Sequence, residues 1–224
     1  MERLVFDDVA AQATALAARL AADITHLLEQ ESEVVLAVSG GRSPLPLFAA
    51  LAATPLPWSQ VIVTLVDERV VPEEHPDSNA RLVRSALLTG YAARARFVPL
   101  VRGLETAGEA VRRGLAGFRQ PHLVVLGMGE DGHTASLFPD APELAAGLLS
   151  DAPALLAITP GVAPHERISM TLSSLGQARK LYLSIQGAKK AAVLEAALAR
   201  PDAALPVGLA LTLPQPDVLV YQAP

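Results

Sequence analysis

Short runs of branched and long aliphatic residues recur along this chain, and between most of them lies a stretch with helical spacing. Glu33–Val38, Val61–Val66, Arg96–Leu100, His122–Leu126, Leu155–Ile158, Arg167–Met170, Leu181–Ile185 and Asp217–Tyr221 read as strands. Helices are expected from Asp7 or Asp8, either of which can cap, to about Gln30, and from Pro44 to about Ala53. Others are expected over Ser78–Leu88, Glu105–Phe118 and Ala188–Ala199, with Asp67–Asp77 a polar loop. Alternation of this kind predicts an α/β fold, a mostly parallel sheet with helices on both faces. At 224 residues one domain is expected, without repeat or linker. The prolines at 201, 206, 214 and 216 mark a loopy C-terminal region.

In open parallel sheets, ligands gather outside the carboxyl ends of the strands. Three polar clusters directly follow strands here: Ser39–Ser43, Asp67–Asn79 and Gly127–His133. They are expected to converge on one edge of the sheet. Composition narrows what they can do there. A net charge of −5 disfavours nonspecific nucleic-acid binding, which needs a basic face. The absence of cysteine removes disulfides, thiolate metal sites and cysteine nucleophiles. No apolar run approaches the roughly 20 residues of a membrane-spanning helix, and the N-terminus lacks a signal pattern. A cytoplasmic protein without membrane or nucleic-acid partners is expected.

The richest chemistry lies in Gly127-Met128-Gly129-Glu130-Asp131-Gly132-His133, where a glycine-rich turn delivers a carboxylate and an imidazole together. Histidine can move a proton near neutral pH. The spacing Gly127-x-Gly129-x-x-Gly132 formally matches a dinucleotide fingerprint, but its mid-chain place, the following His133 and the nearby Pro139 speak against a nicotinamide site. Ser39-Gly40-Gly41-Arg42-Ser43-Pro44 joins a strand end to a helix start, where backbone N–H groups and a guanidinium suit an anion. The same stretch resembles a degenerate nucleophile elbow, with a triad drawn through Asp131 and His165. No His-Gly-Gly-type oxyanion sequence accompanies it. Arg69 can neutralise a phosphate, and Asp67 can hold sugar hydroxyls or orient a catalytic group; a solvated ion pair is the blander alternative. Ser78 and Asn79 look first like a helix start. Arg167 and Lys190 are further anion contacts that gain meaning only within the set. The five histidines, at 26, 75, 122, 133 and 165, show no metal-ligand spacing such as H-x-x-x-H, and no metal is expected.

Taken together these segments resemble the 6-phosphogluconolactonase family over nearly the whole chain. The carriers are Ser39–Pro44, Asp67-Glu68-Arg69-Val70-Val71-Pro72, His75-Pro76-Asp77-Ser78-Asn79, Gly127–Pro139, Arg167-Ile168-Ser169-Met170-Thr171 and Gly187-Ala188-Lys189-Lys190. The resemblance implies a Rossmann-like sheet shared with amino-sugar-phosphate deaminases, no cofactor, and hydrolysis of a phosphosugar lactone. It implies His133 as general base beside Asp131. It also implies substrate contacts from Ser39, Gly40, Gly41, Arg42, Ser43, Asp67, Arg69, Asn79, Gly129, Arg167 and Lys190. Lys190 is preferred to Lys189 because the family places its lysine three residues after the glycine. Deaminases carry a glutamate five residues after the loop histidine, where this chain has Phe138. A non-catalytic phosphosugar sensor is the third reading, and a monomer or small homo-oligomer is expected in each case.

Overall fold

The computed structural model describes residues 1–224. In chain order its elements are β1 (Glu2–Val5), α1 (Val9–Leu28), β2 (Val34–Val38), α2 (Leu45–Ala52), β3 (Val61–Leu65), β4 (Asp67–Arg69), α3 (Asn79–Ala86), β5 (Arg96–Val98), α4 (Ala107–Ala116) and β6 (Leu123–Leu126). Then follow α5 (Leu144–Gly147), β7 (Leu155–Ile158), β8 (Arg167–Met170), α6 (Leu172–Gly176), β9 (Lys180–Gln186), α7 (Ala188–Ala199), α8 (Pro206–Leu211) and β10 (Asp217–Ala223).

Seven strands form one sheet in the order β1-β10-β9-β6-β2-β3-β5, and every pairing in it is parallel. β2, β3 and β6 are buried at every position. Their unbroken apolar runs follow from having both faces of the sheet covered. A 48-residue hydrophobic cluster, including Leu16, Leu20, Phe48, Trp58 and Tyr182, fills the layers. From β2 the chain builds outward through β3 to β5; from β6 it builds the other way through β9 to β10. The order therefore reverses between β2 and β6, which is where a parallel sheet opens a crevice.

The expected α/β architecture is present, with four local differences. Asp67–Arg69 is a strand, not loop: β4 pairs antiparallel with β8, and β8 with β7, in a separate three-stranded sheet. β7 and β8 thus lie outside the parallel sheet. The region of prolines contains α8, with Pro206 in its first turn, where a missing N–H costs no hydrogen bond. β1, exposed and too polar to announce itself, adds the edge beside β10. The last strand runs to Ala223, which pairs with Gln186 of β9. No helix is long and apolar enough to cross a membrane.

Candidate active site

Ser39 follows β2 and Gly127 follows β6, so the crevice at the reversal is bounded by two of the three polar clusters. The Ser39 hydroxyl joins them, donating to the Val125 carbonyl (3.1 Å) and accepting from the Gly127 amide (3.1 Å). Gly40 then passes so close to Asn79 that any side chain at position 40 would overlap the Asn79 amide. Asn79 in turn donates to the Asp67 carbonyl (3.0 Å), which brings the third cluster to the same mouth. The result is a cavity of 360 Å³. Its walls include Ser39, Gly40, Gly41, Arg42, Ser43, Asp67, Arg69, Asn79, Gly129, His133, Arg167 and Lys190. Lys189 faces elsewhere, 3.8 Å from Glu130.

Asp131 stands behind His133, its Oδ1 2.6 Å from His133 Nδ1. It also accepts from the His133 amide at 3.2 Å, so the loop is folded around this pair. A carboxylate at Nδ1 selects the tautomer with its proton there and leaves Nε2 as the basic nitrogen. Gly129 is required beneath them: a Cβ at that position would collide with both the Asp131 carboxylate and the imidazole. On the other side, the Phe138 ring lies 4.2 Å from the imidazole, centroid to centroid, and the Arg167 guanidinium lies 5.7 Å from the Phe138 ring. Position 138 therefore presents an apolar surface to the histidine.

The small sheet supplies the cationic wall. Arg69 and Arg167 are directly opposed across the β4–β8 ladder. Like charges facing each other across a ladder repel. Burial first, and the Arg69 charge second, hold the Arg167 guanidinium below the usual arginine value. Each arginine has one anchoring bond, Arg69 to the Asp77 carbonyl and Arg167 to that of Pro164 (3.1 Å). The Nε of each is buried without a hydrogen-bond partner. Two opposed guanidiniums with unused donors are chemically suited to an anion.

Two carboxylates hold this wall in place. Asp67 accepts from the buried Ser136 hydroxyl at 2.6 Å, tying β4 to the loop that carries His133. Glu68 accepts from the amides of Arg69 (2.7 Å), Asn79 (2.8 Å) and Ala80 (2.7 Å) and from the Ser78 hydroxyl (3.2 Å), fastening β4 to the start of α3. Burial pushes the Glu68 carboxyl above the usual carboxylate range, with those amides pulling the other way. Ser136, Glu68 and the packing role of Phe138 escape a sequence reading. The only available signal was polar side chains inside otherwise buried segments.

The serine-hydrolase alternative finds no support. The Ser39 proton is committed to a carbonyl, and His165 Nε2 bonds to Asp77 Oδ2 at 3.0 Å. Glycine amides are likewise unavailable as oxyanion donors within the histidine loop. Those of Gly127, Gly129 and Gly132 donate to Ser39 Oγ, the His133 carbonyl and the Gly129 carbonyl.

Residues 7–219 match the family model described as glucosamine-6-phosphate isomerases/6-phosphogluconolactonase. The 6-phosphogluconolactonase of Pseudomonas putida is 47% identical over 201 residues, covering 86% of this chain and 83% of its own. That of Neisseria meningitidis serogroup A is 41% identical over 212 residues, covering 92% of each. The crystal structure of a 6-phosphogluconolactonase from Shewanella baltica superposes with a TM-score of 0.95 at 35% identity, covering 100% of this chain and 98% of the other. With its crevice, its strand order and nearly its whole length accounted for in this way, the chain belongs to the glucosamine-6-phosphate isomerase/6-phosphogluconolactonase family.

Proposed function

We propose that this protein hydrolyses 6-phospho-D-glucono-1,5-lactone to 6-phospho-D-gluconate, with His133 as general base. The observation that carries the reading is the Asp131–His133 pair opening onto the same cavity as the opposed Arg69 and Arg167. The relatives named above are 6-phosphogluconolactonases, and Phe138 occupies the position at which likeness to the deaminases would imply a glutamate.

The 6-phosphate sits against Arg69 and Arg167, with Arg42 and Lys190 adding positive charge at the mouth. This places the lactone carbon toward His133. Nε2 takes a proton from water as the water oxygen bonds to the carbonyl carbon. The resulting imidazolium is stabilised by Asp131 and returns the proton to the ring oxygen as the ester C–O bond breaks. The glycine amides of the histidine loop are already committed, whereas those of Gly40 and Gly41 line the cavity and donate to no other backbone group, which makes that turn the proposed donor to the transient oxyanion. The reaction needs no covalent enzyme intermediate. Positioning supplies much of the acceleration, since the ester is activated and the base is fixed beside it.

The test is 6-phosphogluconate formation from freshly generated lactone, coupled to its dehydrogenase and corrected for spontaneous hydrolysis. Wild type should accelerate the reaction, and His133→Ala should lower kcat about 10²-fold or more. No acceleration by the wild-type protein rejects the activity. An unchanged kcat in the variant rejects the base. Turnover of glucosamine 6-phosphate would place the protein on the deaminase branch instead.

A further inference from the structure

Beside the cavity, the fold assembles a group of side chains that no local spacing announces. His75 and Asp77 come from the turn before α3, and His165 from the segment before β8. One nitrogen from each imidazole and an oxygen of Asp77 all lie within 4.8 Å of one another. Asp77 Oδ2 is 3.0 Å from His165 Nε2 and 3.9 Å from His75 Nδ1, a nitrogen that accepts from the Asp77 amide at 3.1 Å and would exchange that bond for the ion. Ligands at about 2.0–2.1 Å from a tetrahedral ion stand about 3.3–3.4 Å apart. The two measured separations bracket that spacing. The imidazoles meet edge to face with centroids 5.3 Å apart.

His165 reaches this place through a left-handed backbone, φ +69°. That conformation is uncommon for a residue other than glycine or asparagine. All three side chains are partly exposed, leaving room for water to complete the coordination.

We propose that His75, Asp77 and His165 bind one divalent ion of the zinc class. Two imidazoles and one carboxylate are a donor set for borderline transition ions, not for calcium or magnesium, which prefer all-oxygen shells. The ion would clip the turn before α3 to the segment before β8. Those two segments hold the cationic wall, since Arg69 donates to the Asp77 carbonyl and Arg167 to that of Pro164. Occupancy would therefore stiffen both arginines without touching Asp131 or His133. The site stands on its own residues and does not depend on the lactonase reading.

Isothermal titration of Zn²⁺ into the full chain tests this, with Co²⁺ absorption reporting the ligand field. Wild type should bind one Zn²⁺ per chain, and Co²⁺ should develop visible bands of a four- or five-coordinate nitrogen–oxygen site. His165→Asn keeps a residue that tolerates the left-handed backbone, and His75→Gln keeps size and polarity. Each should weaken binding at least tenfold while thermal unfolding of the metal-free protein stays within a few degrees. His133→Ala should bind Zn²⁺ as wild type does. The proposal is overturned if wild type takes up no stoichiometric Zn²⁺. It is equally overturned if both His75→Gln and His165→Asn bind undiminished, or if His133→Ala alone abolishes binding, which would place the ion on the Asp131–His133 pair.

Discussion

At the scale of single residues, the chemistry of this protein depends on contacts too close to admit an extra methyl group. Gly129→Ala would push a Cβ into the Asp131–His133 pair. The expected result is a fall in kcat comparable to that of His133→Ala, with KM little changed; a variant with wild-type kcat would show that the pair need not be held this way. Arg167→Met removes one of two opposed guanidiniums. Hydrogen bonds to charged groups contribute about 1.5–3 kcal/mol, so KM for the lactone should rise about 10- to 100-fold with a smaller effect on kcat. Inorganic phosphate should raise the unfolding temperature of wild type more than that of this variant. Equal protection of both would remove Arg167 from the anion site. The pairing of carboxylate with imidazole was legible in Gly129–His133, because both groups share one turn. The bond between Asp67 and Ser136 was not, because it joins residues 69 positions apart. Likewise, histidine spacing alone gave no hint that His75 and His165 would meet.

At the scale of elements, strands with continuous apolar runs and helices with clear caps were readable, since each is specified by its own residues. Ser78 caps α3 by accepting from the Arg81 amide, as the motif Asp77-Ser78-Asn79 suggests. β4 was not readable. Its three residues are Asp67, Glu68 and Arg69, a triplet with no strand propensity. What makes it a strand is β8 on one side and the Glu68 carboxylate, which meets the amides at the start of α3. Glu68→Ala would leave those buried donors without an acceptor, at a cost of about 1–3 kcal/mol for an unsatisfied group. Urea denaturation should register a loss of at least about 2 kcal/mol, and lactone KM should rise as β4 loosens. An unchanged midpoint would mean that β8 alone secures the strand.

For the whole molecule, size, composition and alternation were enough for the architecture, but not for the pairing partners of its edges or for its response to acid. His122 illustrates the latter. Its Nδ1 accepts from the Val35 amide at 3.0 Å, linking the start of β6 to β2, and burial holds its pKa below the ordinary histidine value. A depressed folded pKa contributes stability above the unfolded value, about 6.5, and loses it as pH falls toward the folded value. Wild-type stability should therefore decline below about pH 6.5. His122→Asn, which keeps an acceptor for the Val35 amide but cannot titrate, should decline less steeply over that window. Parallel curves would show that His122 does not couple folding to acid.

One feature of the sheet bears on how the chain comes to be folded at all. β1 pairs with β10 alone, Glu2 opposite Leu219 and Val5 opposite Gln222. β1 thus finds its partner only after every other strand described above has been made. Loop closure across so long a separation is slow compared with the local βα units between β2 and β6. The crevice between those strands needs β6 and the His133 loop, which lie past the midpoint of the chain, and its remaining walls, carrying Arg167 and Lys190, are made later still. β1 therefore stays unpaired while the mouth is assembled, and shielding that strand during synthesis becomes part of making the enzyme.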